Sequence, residues 1–307
     1  MTTFIGARLK KVQNLNMCTA RSLAKKGALL VLVVVLAGCS ALRLSYGNGE
    51  TLSYWWLNTY VGFDQTQRAQ VRTQLDNLFS WHRKTQLPDY AQLMGAGQRR
   101  LQDTAIVTPE IVRSDYDGLK KRVVVMLDQA LPALADLALS LSPEQIDRIE
   151  NKLVDSTERY RKEYLSGDVE DRQQFRYKKV MKQAEYWFGD FSDAQESRIR
   201  RLSDARPLDN ALVLADRIER RQALIALLKK VRREQAPRVA VVQALKDYTR
   251  VHYERTGNGV NTAFFAASTD AAISLTADVI ALTTPRQKAH AIRQLQDLQE
   301  LFLDLAG

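Results

Sequence analysis

An all-α fold, an irregular multi-helix bundle of antiparallel helices, is what this chain of 307 residues predicts. Three observations carry it. Apolar residues recur at intervals of three and four through almost the whole chain after residue 50, the period of a helix face rather than the period of two that marks a strand. Beta-branched alternation is missing. Glycines number only 14, so there are few places where a helix must stop or a tight turn must form. Helices that each carry one apolar face satisfy those faces only by packing on one another.

The first element stands apart from that bundle. The run Gly27 to Leu36 is apolar and follows Arg21, Lys25 and Lys26, the order of n-region and h-region in a secretory signal. It is shorter than the roughly 20 residues a helix needs to cross a bilayer core, and it ends Leu36-Ala37-Gly38-Cys39. That ending resembles the lipobox of bacterial lipoproteins. The resemblance implies that residues 1–38 are a signal peptide. It also implies that Cys39 is thioether-linked to diacylglycerol, with its new amino group acylated, palmitate being among the chains of that class. In the same class Asp at the second mature position retains a protein at the inner membrane, so Ser40 implies the outer membrane. The alternative is an ordinary cleaved signal that leaves a cysteine, and a Cys placed directly at the small-residue boundary fits it poorly. Met17 offers a second start, because Met17 to Gly38 has the proportions of a normal signal. Residues 39–50 then read as a lipidated tether and 51–307 as the helical domain, with a soft boundary near 205–209.

Removing residues 1–38 leaves 269 residues, enough for one large or two modest domains with a buried core. The removed segment holds six basic residues and no acidic one, so the net charge falls from +10 to +4. Much of the basic character therefore belongs to the leader, which argues against nucleic acid as a partner. Cys18 and Cys39 are the only cysteines. One lies in the leader and the other would carry lipid, so the mature domain has no disulfide and must be held by apolar packing.

Along the domain, Phe63-Asp64-Gln65-Thr66-Gln67, Leu141-Ser142-Pro143-Glu144-Gln145 and Phe191-Ser192-Asp193-Ala194-Gln195 each place an apolar residue, a cap, two spacers and Gln. Thr284-Pro285-Arg286-Gln287 repeats the pattern. Each predicts a capping box, in which the cap oxygen accepts from the amide three residues on and the Gln reaches back to the cap's own amide. Pro143 and Pro285 suit the first helical position. Leu87-Pro88 is expected to break or bend the helix begun at Asp64, and Pro132 to kink a later one. Val112, Tyr116, Leu119, Val123, Met126, Ala130, Leu137 and Leu141 form one seam on a single face. A second runs through Ile146, Ile149, Leu153, Thr157, Tyr160 and Tyr164, and others through Leu214, Ile218, Ile225 and Leu228 and through Ile292, Leu295, Phe302 and Leu305. Gly167-Asp168, Arg206-Pro207-Leu208-Asp209 and Thr256-Gly257-Asn258-Gly259 read as the turns between helices.

Little in the chain points to catalysis. His82, His252 and His290 are far apart, and none has a second His within a helical turn, so neither a metal nor another cofactor is expected. There is no nucleophile elbow and no Gly-rich phosphate loop. A carboxylate pair of the glycoside-hydrolase kind stays open, since spatial pairing is invisible in sequence. The aromatic clusters carry more information. Tyr54-Trp55-Trp56-Leu57, Trp81-His82-Arg83 through Leu87-Pro88-Asp89-Tyr90, and Glu185-Tyr186-Trp187 read either as core or as an aromatic surface that meets a partner. Cationic rows such as Arg172, Arg176, Lys178, Lys179 and Lys182 read either as a solvated helix face or as a surface for an anionic envelope component.

Those aromatic segments, together with Tyr160 to Tyr164, resemble a family of proteobacterial outer-membrane lipoproteins known only as a domain of unknown function. The resemblance covers nearly the whole mature chain and implies no activity. The Leu-Ser-Pro-Glu-Gln helix starts are also similar to the Leu-Thr-x-x-Gln motif of small periplasmic stress chaperones. The expected function is that of a non-enzymatic, lipid-anchored envelope protein, chaperone-like or an assembly factor, at the periplasmic face of the outer membrane. Its partner would be an envelope protein or an anionic envelope polymer, met by Trp55, Trp56, Trp81, Arg83, Tyr90 and Trp187. A hydrolase of cell-wall or surface glycans and a steric foldase for an exported enzyme are the alternatives.

Overall fold

The computed structural model describes residues 43–103, 106–254 and 261–307. The expected signal peptide, the lipidation expected at Cys39 and the turn expected at Thr256 to Gly259 lie outside the described residues. Among those described, the chain is helical without a strand, the expected all-α multi-helix bundle. Within the segment read as a tether, residues 43–47 are helical. Residues 50–307 form one compact unit. Its helices are α1 (Gly49–Val61), α2 (Gln65–Gln102), α3 (Pro109–Ser140), α4 (Pro143–Tyr164) and α5 (Val169–Phe188). They continue as α6 (Asp193–Asp204), α7 (Asn210–Glu234), α8 (Arg238–Thr249), α9 (Thr262–Leu282) and α10 (Pro285–Ala306). Arg206 to Asp209, the soft boundary expected from the sequence, is the turn between α6 and α7.

Cross-helix pairs fix an antiparallel register. Arg83 meets Glu50 between α1 and α2, and Asp89 and Asp115 meet Arg122 and Arg100 between α2 and α3. Asp128 and Asp136 of α3 meet Lys246 and Arg238 of α8, while Glu150 of α4 meets Lys229 of α7. Gln98 donates to Gln299 at 2.7 Å, joining α2 to α10. There Gly95 lets the helices close up, because a Cβ at that position would lie 3.1 Å from the Gln299 amide.

Leu87-Pro88 does not break the helix. α2 runs on through Pro88, as α3 does through Pro132. Each proline removes a single amide donor, and Leu87, Ala91, Leu131 and Ala135 around them are buried, so packing carries both helices past the lost bond. The long seam of α3 also departs from expectation. In its second half only Leu141 of the seam is buried, while the face that packs on the core carries Leu131, Ala135 and Ala138, which the seam did not include. In the first half Tyr116 and Leu119 are 41% and 51% exposed, because that half walls a cavity instead of meeting a neighbour closely.

All four expected capping boxes form, at Asp64, Ser142, Ser192 and Thr284, and a fifth forms at Asp168. The Gln residues of the four then do something the local motif does not foretell. They join in two reciprocal pairs. Gln67 Nε2 donates to Gln145 Oε1 at 3.1 Å while Gln145 Nε2 donates to Gln67 Oε1 at 2.7 Å. Each amide also reaches the carbonyl two residues before its partner's cap, Gln67 to Ser140 O and Gln145 to Gly62 O. Gly62, at φ +68°, presents that carbonyl in a left-handed conformation that glycine adopts at little cost. Gln195 and Gln287 repeat the arrangement at the other end, Gln195 donating to Leu282 O and Gln287 to Asp190 O.

Each Gln pair sits beside its own core. The first core gathers Tyr54 and Phe63, Val71 and Leu75 of α2, the second half of α3, and the inner faces of α4, α7 and α8. The second is smaller, with Met181 and Ala184 of α5, Ile199 of α6, and Leu275 and Val279 of α9. α2, whose 38 residues extend about 57 Å, contributes its first half to the larger core and lays its second half along α10.

Candidate functional site

The smaller core does not close. A cavity of about 800 Å³ opens beside it, walled by the second half of α2, the first half of α3, α5, α9 and α10. That volume falls within the roughly 300 to 1,000 Å³ typical of small-molecule sites. One stripe of α5 runs its length. Arg172, Phe175, Arg176, Lys179, Val180, Gln183, Ala184, Trp187 and Phe188 all line it, at the three-and-four spacing of a single helix face. The stripe is graded: cations stand at its start and apolar side chains at its end.

The two ends have different surroundings. At the apolar end, His290 Nδ1 lies 2.9 Å from Trp187 O, and Ala291 and Leu295 of α10 line the cavity with Val279 and Ile280 of α9. At the cationic end, Arg176 Nη1 donates to Arg206 O and Pro207 O at 3.2 and 2.9 Å. Its Nε and Nη2, and Nε of Arg206, are buried without a hydrogen-bond partner among the described residues. Burial lowers the proton affinity of both guanidiniums, and that of Arg176 falls further because Arg206 stands beside it. Arginine nevertheless stays charged in proteins, so the pair is a half-buried, partly unsatisfied double positive charge, offset in part by Asp204. Lys179 is placed differently. Its Nζ donates to Tyr164 Oη at 2.5 Å and to Glu163 at 2.9 Å, which raises its proton affinity.

Ion pairs rather than packing hold the first half of α3 over this cavity. Arg122 binds Asp89 through two bonds of 2.6 and 2.8 Å, and Arg100 pairs with Asp115 and Arg113 with Asp270. α3 and α9 are also the two described helices long and apolar enough, by length and composition, to cross a membrane. Both line this cavity.

The residues singled out in the sequence fall in separate places. Trp55 and Trp56 lie on α1, 58% and 60% exposed. Trp81 and Tyr90 are half-buried in α2, in a chain of ring contacts through His82 that ends on Phe302 of α10. Arg83 is ion-paired with Glu50. Only Trp187 reaches the cavity. Sequence reasoning missed Arg206, Tyr116 and Leu119 as site residues and placed Arg176 in a cationic row read as a solvated face or an anion-meeting surface, whereas Lys178, Lys179 and Lys182 of that row are exposed and Arg176 is half-buried. A signal was present: Arg172, Arg176 and Lys179 share their helical stripe with Val180, Ala184 and Trp187, and a solvated face would not mix the two.

Among the described residues no group of three or more His, Cys, Asp or Glu is placed to hold a metal ion. No curated protein and no solved structure matches the chain. A family model does match, over residues 59–248, from within α1 almost to the end of α8 and more than half of the sequence. The chain therefore belongs to DUF6279, a family of unknown function.

Proposed function

We propose that the protein is a lipid-anchored envelope protein, held at the periplasmic face of the outer membrane through Cys39, whose helical domain is a non-enzymatic binding module. The observation that carries the binding role is the cavity: an apolar chamber with a cationic end, built into the bundle between five helices. The lipobox-like Leu36 to Cys39 supports the address. Trp55 and Trp56, exposed soon after the tether, support a surface that rests at a bilayer interface, where tryptophan is enriched.

A glycan hydrolase would need two carboxylates facing each other across a substrate. Among the described residues that line the cavity the one acid is Asp115, and it is ion-paired with Arg100. This arrangement favours binding over hydrolysis. The test is capture of the intact lipoprotein from cross-linked membranes beside a Cys39→Ser form. The expected result is an outer-membrane protein with a reproducible bound partner or ligand, and release of the Cys39→Ser form from that membrane. Recovery of the intact chain in the soluble fraction, or with nothing bound, would overturn the reading.

A further inference from the structure

The cavity has a polarity that selects its ligand. Its stripe on α5 spans residues 172–188, about 24 Å at 1.5 Å per residue. An acyl chain that fills one leaflet of a roughly 30 Å hydrocarbon core is about 15 Å long. The chamber is thus long enough for one extended acyl tail with a head group at the cationic end.

The chemistry of each end narrows the choice. Around Trp187, Leu295 and Val279 the walls offer few polar partners, so a peptide segment would bury amides without hydrogen bonds, at a cost of several kcal/mol if many go unmade. A hydrocarbon tail has none to lose. At the other end the Arg176 and Arg206 guanidiniums stand side by side in the wall of the chamber, and a neutral head would add no counter-charge to them. Of the nearby acids, Glu163 pairs with Lys179, and Asp204 pairs through Oδ2 with Arg200 and offsets only part of the Arg176 charge. Guanidinium forks match the planar geometry of a carboxylate.

We propose, building on the reading of this domain as a binding module, that the cavity holds a long-chain fatty acid, its carboxylate at the cationic end formed by Arg176 and Arg206 and its tail along α5 toward Trp187 and Leu295. Entry follows the apolar first half of α3, where Tyr116 and Leu119 are at once cavity wall and exposed surface.

The test is photo-crosslinking of the intact chain in membranes with palmitate that carries a diazirine near the end of its tail. Labelled peptides are then mapped by mass spectrometry. Labels should fall on the segments that contain Trp187, Val279 and Leu295. Free palmitate should compete and hexadecanol should not. Arg176→Gln with Arg206→Gln should weaken labelling about tenfold or more, the scale of one lost charged hydrogen bond. Thr276→Trp, at an exposed wall position, should block it while the thermal melt stays that of the parent. If hexadecanol competes equally and the arginine variants label normally, the carboxylate assignment falls and an apolar site remains. If palmitate labels nothing in the cavity while a protein or polymer is captured from cross-linked membranes, the fatty-acid proposal falls and the binding module stands. Failure of both takes down both.

Discussion

A capping glutamine in this chain has two partners, its own helix start and a helix start far away in sequence. Locally the motif is legible: Ser142 followed by Gln145 is a capping box in any context. The second role is not legible, because nothing near Gln145 says that Gln67 will face it. Gln67 is 2% exposed, so removing its partner leaves a buried amide short of bonds. Gln145→Ala is expected to destabilise the fold by about 1–3 kcal/mol in chemical denaturation. A double-mutant cycle with Gln67→Ala should return a coupling of at least about 0.5 kcal/mol. His82 gives a second prediction at this scale. Burial first, and then the neighbouring Arg83, lower its proton affinity, so the folded chain holds the ring neutral to a lower pH than the unfolded chain does. Below the ordinary histidine value of about 6.5 the unfolded state therefore takes up the proton first. The His82 contribution is complete above that pH and is lost as pH falls from it, and His82→Gln should flatten the drop in melting temperature between about pH 7.5 and 5.

At the scale of the helix, the period of the apolar residues gave the right elements and overstated what they bury. α4 and α7 behave as their seams predict, with Ile146, Ile149, Leu214, Ile225 and Leu228 inside. α3 has an equally regular seam, yet half of it faces a chamber, since periodicity reports which residues share a face and not whether a neighbour fills the space before it. α1 shows the converse. Its aromatic run reads either as core or as surface, and the helix splits it, burying Tyr54 against Phe63 and leaving Trp55 and Trp56 outside. Trp55→Ser with Trp56→Ser is accordingly expected to change unfolding free energy by no more than about 0.5 kcal/mol. The same double variant should lower partitioning of the purified chain onto phospholipid vesicles, measured by sedimentation. Loss of stability with unchanged partitioning would assign these rings to the fold instead.

Over the whole molecule, the match to the family ends at residue 248, and α9 and α10 lie beyond it. Yet α10 is the closest companion of the second half of α2, and both late helices wall the cavity. A chain ended after Thr249 should keep the larger core, with Ile146, Ile225 and Val241 in place. It should lose the cooperative melt of the second half of α2 and α5, seen as early amide exchange across residues 87–102 and 175–188. The all-α class was legible from the sequence because it depends on local period and local caps. The cavity was not, because its walls come from five helices that only the tertiary arrangement assembles. The two glutamine pairs carry a further consequence, for the rates at which the molecule forms and comes apart. They join residues 78 and 92 positions apart, so each can close only after the intervening helices have found their places. Contacts of this kind are expected to form on the native side of the folding barrier, at low φ. Gln145→Ala and Gln287→Ala should therefore speed unfolding in stopped-flow dilution while refolding keeps its rate, so that the glutamines set how long the folded molecule lasts rather than how soon it arrives.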